Sequence, residues 1–316
     1  MTDAAIWNRY WHYDRIASCF DGAGASNYDE GVAAGWRAFF AELPAGARIL
    51  DLCTGNGAAA LLAAEVGRRE GKGFAIHAVD QADIDPPAYV TRHAEDLAAI
   101  AFRGGVAVEA LPFPDAGFDA VISQYGIEYS DLERSLAEAV RMIAAGGRLR
   151  FVVHAAEGEV AAGARLVIAE ADLLLGEIGL TGAATRCFEA LWAVERDGQA
   201  GREEADEAFA AFQDALEQTA REIPAAHDPT MFKNSGAVLL DTFQRRGRFD
   251  LDQLRAKPAA IEAEISAHRG RLAALVEAAL DSAGAAALAA RLGPGAESFP
   301  LHNGAALIGH VLEARF

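Results

Sequence analysis

The stretch Ala47-Arg48-Ile49-Leu50-Asp51-Leu52-Cys53-Thr54-Gly55-Asn56-Gly57-Ala58-Ala59-Ala60 admits few folds. It reads as a short apolar strand with a carboxylate near its end, a Gly-x-Gly turn, and an Ala-rich helix start. A strand that stops in glycines and restarts as a helix sets free backbone N–H groups beside a helix N-terminus, where the polar end of a nucleotide-like ligand can sit. Gly55 and Gly57 let such a ligand approach where a Cβ would collide. Asp51 narrows the ligand. A carboxylate at the strand end repels a diphosphate and suits a ligand with an ammonium or sulfonium group and no phosphate.

Further pieces follow in order. Ile76-His77-Ala78-Val79-Asp80 is strand-like and ends in an acid 23 residues after Gly57, about where dinucleotide folds place the acid that holds the ribose hydroxyls. Leu111-Pro112-Phe113-Pro114-Asp115 precedes the apolar run Phe118-Asp119-Ala120-Val121-Ile122-Ser123-Gln124-Tyr125, and Met142-Ile143-Ala144-Ala145-Gly146-Gly147-Arg148-Leu149 is a glycine turn entering another strand. Together these resemble the class I S-adenosylmethionine-dependent methyltransferases, small-molecule type, over residues 47–154. The matching pieces are motif I, the ribose acid, the "LPFPD…FD-V-S" signature and an "L-x-P-G-G" turn with Ala145 where proline is usual. Tyr13-Asp14-Arg15-Ile16-Ala17-Ser18-Cys19-Phe20-Asp21 resembles the segment that precedes motif I in such relatives and folds over the cofactor.

The expected fold is α/β: a Rossmann-like seven-stranded, mostly parallel sheet with an antiparallel C-terminal hairpin, plus a helical insertion or cap. Strands are expected near 47–52, 74–79, 105–109, 118–123 and 148–154, with helices over 58–70, 88–102 and 131–144. Residues 1–42 form an aromatic-rich N-terminal helical segment, 43–156 the S-adenosylmethionine-binding core, 157–292 the helical insertion, and 293–316 the closing hairpin. The insertion, rich in Ala, Glu, Arg and Leu, is expected as helices over 158–178, 184–196, 203–222, 232–247 and 259–291, with a break near Ser282-Ala283-Gly284. Set after the fifth strand, it would enclose an acceptor or build a dimer interface.

The resemblance assigns cofactor-binding positions to Tyr13, Asp51, Cys53, Thr54, Gly55, Asn56, Gly57, Asp80, Gln81, Val108, Glu109, Ser123 and Gln124. Asp51 would hold the methionine end, Asp80 the ribose, and Ser123 and Gln124 would approach the methionine portion. The acid that usually contacts the adenine amino group is replaced by Ala107, which leaves Glu109 as the nearest substitute. The aromatic ring of Tyr13 would face the sulfonium. Cys53 also reads simply as a small loop filler. The acceptor would lie near Tyr125, Glu128, Tyr129 and His154. His154 is best placed as a general base, with Tyr125 and Glu128 beside it, although a satisfied core or rim histidine is the simpler account of His154 and Tyr125 reads equally as packing.

Composition bounds the rest. A net charge of −18 argues against a nucleic-acid substrate, which needs a concentrated basic surface. At 52% hydrophobic residues no apolar run approaches membrane-spanning length, and Met1-Thr2-Asp3 begins no signal peptide. Cys19, Cys53 and Cys187, scattered and odd in number, fit a reduced cytoplasmic protein, and no spacing supports a metal site. Two rival readings stand. An NAD(P)-dependent oxidoreductase would use Gly55-x-Gly57-x-x-Ala60 and Asp80, but there is no catalytic Tyr-x-x-x-Lys. A non-catalytic S-adenosylmethionine-binding scaffold would bind without turnover.

Overall fold

In the computed structural model, which describes residues 4–17, 27–28, 30–197 and 201–316, seven strands form one sheet in the order β3-β2-β1-β4-β5-β7-β6. They are β1 Arg48–Leu52, β2 Ala75–Val79, β3 Ile100–Arg103, β4 Phe118–Gln124, β5 Ile143–Val153, β6 Glu297–Asn303 and β7 Ala306–Arg315. The first five run parallel, and β7 lies antiparallel to both β5 and β6.

Strand alternation explains the layering. Ile49, Ile76, Ala78, Ala120, Ile122 and Val152 bury against one face, with Trp36 and Phe40 from the helix Glu30–Ala41 and Leu61 and Leu62 from the helix Ala58–Arg69. Leu50, Leu52, Val79, Val121, Leu149, Phe151 and Val153 bury against the other, with Leu136 and Met142 from the helix Leu132–Met142. Both faces are covered, so the central strands carry apolar residues at nearly every position.

The third strand differs from expectation. Residues 88–102 do not form one helix and 105–109 form no strand. Pro86 opens a four-residue helix, His93 adopts φ +59°, and a second short helix, Ala94–Ala98, gives way to β3. Gly104 and Gly105 end the strand instead of preceding it. A Cβ on Gly104 would stand 2.7 Å from the Ile84 nitrogen, and Gly105 has φ +70°. Val108 and Glu109 therefore sit in the turn after β3.

Two compact units are present. One comprises residues 1–162 and 274–316 and holds the sheet; the other is residues 163–273. The second packs Leu174, Phe188, Phe212, Phe232, Leu239 and Leu254 into its own core. Its helices include Leu180–Asp197, Arg202–Glu222 and Pro229–Gln244. The last long helix runs Leu251–Ala278 straight through Pro258, so it starts before residue 259. It ends short of Ser282, where Asp281 caps the separate helix Ser282–Ala290. Cys19 and residues 18–21 of the N-terminal motif lie outside the described residues.

Candidate functional site

Chain winding reverses between β1 and β4: from β1 the strands proceed to β2 and β3 on one side, and from β4 to β5 on the other. In open α/β sheets ligands bind in the crevice beyond the strand ends at such a reversal. Here that crevice is a pocket open to solvent, lined by Trp11, Ile16, Tyr28, Asp51, Cys53, Thr54, Ala58, Ala59, Gln124 and Tyr125.

Asp51 lies near the end of β1, opposite Ala78 and Ile122, and is only 1% exposed. Its Oδ2 accepts from the Thr54 hydroxyl at 2.6 Å and from the Ala60 N–H at 3.2 Å, which ties the strand to the first turn of the helix Ala58–Arg69. Oδ1 is buried with no hydrogen-bond partner among the described residues. Burial pushes the Asp51 carboxyl up to about 7, against the pull of these hydrogen bonds. Asp80, past the end of β2, accepts from the Gly55 N–H at 2.8 Å and the Ala82 N–H at 2.8 Å. It therefore clasps the glycine turn to the loop after β2, and burial raises its carboxyl too.

The turn is strained where the ligand groove would be. Cys53 adopts φ +55°, Gly55 +55° and Gly57 +86°. A Cβ on Gly55 would stand 2.4 Å from the Trp11 ring, and one on Gly57 2.7 Å from the Phe102 ring. Gly126, after β4, closes on Cys53 in the same way, its virtual Cβ 2.4 Å from the Cys53 Cβ. Burial, then the carboxylates of Asp80, Glu128, Asp51 and Glu109, raises the Cys53 thiol well above its ordinary value. Cys53 is thus a neutral, packed loop residue rather than a nucleophile.

Asn56 does something the sequence reading misses. It is fully buried, and its Nδ2 donates to the carbonyls of Trp11, Arg15 and Tyr13 at 3.0, 2.8 and 3.4 Å. The turn thereby holds residues 11–15 as a strap. The loop after β2 holds the other side: Asp83 N–H donates to Asn8, the His12 ring meets the Asp83 carbonyl at 3.0 Å, and Asp14 accepts from Thr91. Tyr13, expected at the sulfonium, is 51% exposed and outside the pocket lining, with the Arg15 guanidinium 5.6 Å from its ring centroid. Trp11 and Tyr28 supply the aromatic faces of the cavity instead. Replacing Asn56 by Ala is expected to release the strap, and limited proteolysis at residues 12–17 should then accelerate at least tenfold while the sheet stays folded. An unchanged cleavage rate would show that the strap is held by other contacts.

Several expected positions serve the scaffold. The Ser123 hydroxyl donates to the Leu52 carbonyl at 3.0 Å and accepts from the Ile127 N–H at 3.2 Å. Val108 is buried in the core, Glu109 accepts from the Asp131 N–H at 3.1 Å, and Gln81 is exposed. Gln124 lines the cavity, with its Oε1 taken by the Trp36 indole N–H.

His154 and Glu128 form a buried pair. Glu128 Oε1 accepts from the His154 backbone N–H at 2.9 Å and lies 2.7 Å from Nδ1; both side chains are wholly buried. The Tyr125 ring stacks on the imidazole at a centroid distance of 4.3 Å, and the Tyr129 ring meets it edge-on at 5.9 Å. Tyr125 has φ +52° and donates its hydroxyl to the Ile308 carbonyl at 3.0 Å. Of the three residues expected to be catalytic, only Tyr125 reaches the cavity lining. His154 and Glu128 do not line it, and the Tyr125 ring lies stacked against the buried imidazole. Among the described residues one group, Glu65, His93 and Asp96, has metal-ligand spacing. Both Asp96 oxygens already accept from Arg68, at 2.8 and 3.0 Å, and that guanidinium supplies the countercharge.

A family model described as a methyltransferase domain matches residues 50–151. The chain is 42% identical over 106 residues to a demethylmenaquinone methyltransferase of Thermus thermophilus, 32% of this chain and 44% of that protein. It is 33% identical over 109 residues to the ubiquinone/menaquinone biosynthesis C-methyltransferase UbiE of Geobacter sulfurreducens, 33% of this chain and 40% of that one. The chain thus spans less than half the length of these curated relatives. Among solved structures, YcgJ from Bacillus subtilis overlaps 45% of this chain and 58% of its own at 22% identity, with a TM-score of 0.34. A geranyl diphosphate methyltransferase in complex with GPP and sinefungin overlaps 48% of this chain and 66% of its own at 17% identity, with a TM-score of 0.37.

Proposed function

We propose that this chain, whose core belongs to the class I S-adenosylmethionine-dependent methyltransferases, transfers a methyl group from S-adenosylmethionine to a small-molecule acceptor. The observation that carries the reading is the free, buried Oδ1 of Asp51 beside the glycine turn. That acceptor suits an ammonium and opposes a diphosphate, which weighs against the nicotinamide reading.

The residues present fit the nucleoside. Asp51 would receive the ammonium of the amino-acid end. Each Asp80 oxygen has one backbone donor and keeps a lone pair for a ribose hydroxyl. Thr54 would meet the ligand from the pocket wall, with Gly55 and Gly57 giving room to the Trp11 and Phe102 rings that flank it, and Val108 and Glu109 would border the base. Trp11, Tyr28 and Tyr125 would place aromatic faces around the cation. When bound, S-adenosylmethionine supplies a methyl group on a positively charged sulfur that is already a good leaving group. The chain's own task is to align the acceptor and exclude water, which alone can contribute several kcal/mol. The residues 11–15 strap serves the exclusion.

The demethylmenaquinone in one relative's name and the ubiquinone/menaquinone biosynthesis in the other's make a quinone-type aromatic the first acceptor to test. Among the described residues no helix is long and apolar enough to cross a membrane; the cytoplasmic location we propose rests on the few, scattered cysteines. Calorimetric titration of the full chain with S-adenosylmethionine, S-adenosylhomocysteine and NAD tests the reading. Micromolar binding of both adenosyl ligands with none of NAD is expected. NAD binding with neither adenosyl ligand would reverse it. Tight binding of S-adenosylhomocysteine without turnover of any acceptor would favour the scaffold.

A further inference from the structure

We infer that Trp36, held by Arg150 and Glu313, is a positioning residue that fixes the Gln124 amide so that the site selects its nucleoside by a carboxylate. The inference rests on the methyltransferase reading and concerns how the amino-acid end is recognised.

A glutamine amide has two nearly isosteric ends of opposite chemistry, and its orientation follows from its partners. The Trp36 indole can only donate, so Gln124 Oε1 must face it. What Gln124 retains for a ligand is Nε2, which is buried and has no partner among the described residues. An orphaned buried donor is costly to keep, and a ligand oxygen would satisfy it.

The indole is itself clamped. Trp36 is 1% exposed, stacked on Phe40 at 5.6 Å and edge-on to Phe39 at 6.0 Å. The Arg150 guanidinium lies 5.2 Å from its ring centroid. Arg150 is buried in β5 and pairs with Glu313, which stands directly across from it in β7. Gly35 leaves room for that guanidinium, since a Cβ there would stand 3.0 Å from its Nη2. A chain of contacts thus runs from β7 through β5 and the helix Glu30–Ala41 to an amide in the cavity wall.

The same cavity is lined by Asp51, whose Oδ1 is a buried acceptor without a partner. One orphan donor and one orphan acceptor complement a carboxylate and an ammonium on a single α-carbon. The pair selects a zwitterionic amino-acid end over an amine alone.

The test compares S-adenosylhomocysteine with its decarboxylated analogue, which keeps the amine, by calorimetry on the full chain. The parent is expected to prefer S-adenosylhomocysteine by about tenfold or more, as for a hydrogen bond to a charged group. Trp36→Phe keeps the ring and removes the N–H; its preference is expected to fall to within about threefold of parity. Gln124→Leu, which leaves the indole untouched, is expected to do the same and carries the test if Trp36→Phe does not fold. Equal weakening of both ligands, or a preference that survives in the folded variants, would overturn the inference. Loss of preference in Gln124→Leu with full retention in a folded Trp36→Phe would overturn the positioning role. A parent that binds neither ligand removes the methyltransferase reading and this inference with it.

Discussion

An Asp51→Asn variant is expected to be more stable than the parent at pH 8 and yet to bind S-adenosylhomocysteine about tenfold to a hundredfold more weakly. The two effects have one source. The Asp51 carboxyl is buried, and its ionised form in the folded chain lacks a partner on Oδ1. Its folded value of about 7 exceeds the unfolded reference of 3.8. A group raised on folding contributes its full share below the unfolded value, and that share is lost as pH climbs from about 4 to about 7. At roughly 1.4 kcal/mol per unit, ionised Asp51 costs the fold up to about 4 kcal/mol at pH 8. Asparagine keeps an oxygen for Thr54 and Ala60 and removes the charge, although its amide N–H₂ inherits a burial cost of about 1–3 kcal/mol. A net gain of about 1–3 kcal/mol at pH 8 remains, shrinking toward zero or reversing near pH 5. Urea unfolding of both proteins at the two pH values measures it, and parallel stability profiles would sink the explanation. Binding reads the same carboxyl from the other side. An ammonium ligand requires Asp51 ionised, so affinity should rise with pH up to about 7, and calorimetry in buffers of different ionisation enthalpy should detect proton release on binding below that.

Asp51 was also among the residues most legible in the sequence. The acid, two glycines and Ala-rich helix start lie within fourteen consecutive positions, and local chemistry alone dictates their shape. Strands β1, β2, β4 and β5 were legible too, because a buried parallel strand leaves an apolar run. The third strand was not. Ile100-Ala101-Phe102-Arg103 has no polar alternation, and Val106-Ala107-Val108 looks more strand-like; only the pairing with β2 and the crowding at Gly104 decide between them. Contacts across long separations were equally silent. Asn56 reaches back about forty residues to backbone carbonyls, which any sequence would supply, and Trp36 meets Gln124 across 88 positions. His154 was legible as a residue at the end of a strand, but its burial against Tyr125 depends on β7, where Ile308 holds the tyrosine hydroxyl.

Replacing Gly55 by alanine is expected to destabilise the chain by about 2–4 kcal/mol, with most of that loss depending on Trp11. Two costs add. Alanine at φ +55° carries the strain of a left-handed residue, about 1 kcal/mol. Its Cβ would also stand 2.4–2.6 Å from three atoms of the Trp11 ring, and such overpacking costs about 1–3 kcal/mol. The ring belongs to a strap held by a few hydrogen bonds, whereas the turn is fixed to β1 and β2 by Asp51 and Asp80. The strap should therefore yield first: tryptophan emission should shift to the red and residues 12–17 should become open to protease before the sheet unfolds. A double-mutant cycle separates the costs. In a Trp11→Ala background the clash has no partner, so Gly55→Ala should cost only about 1 kcal/mol, a coupling of roughly 1–3 kcal/mol between the two positions. Additive losses would mean that the ring does not press on the turn in solution, and the strap would then lie elsewhere than across the glycine groove.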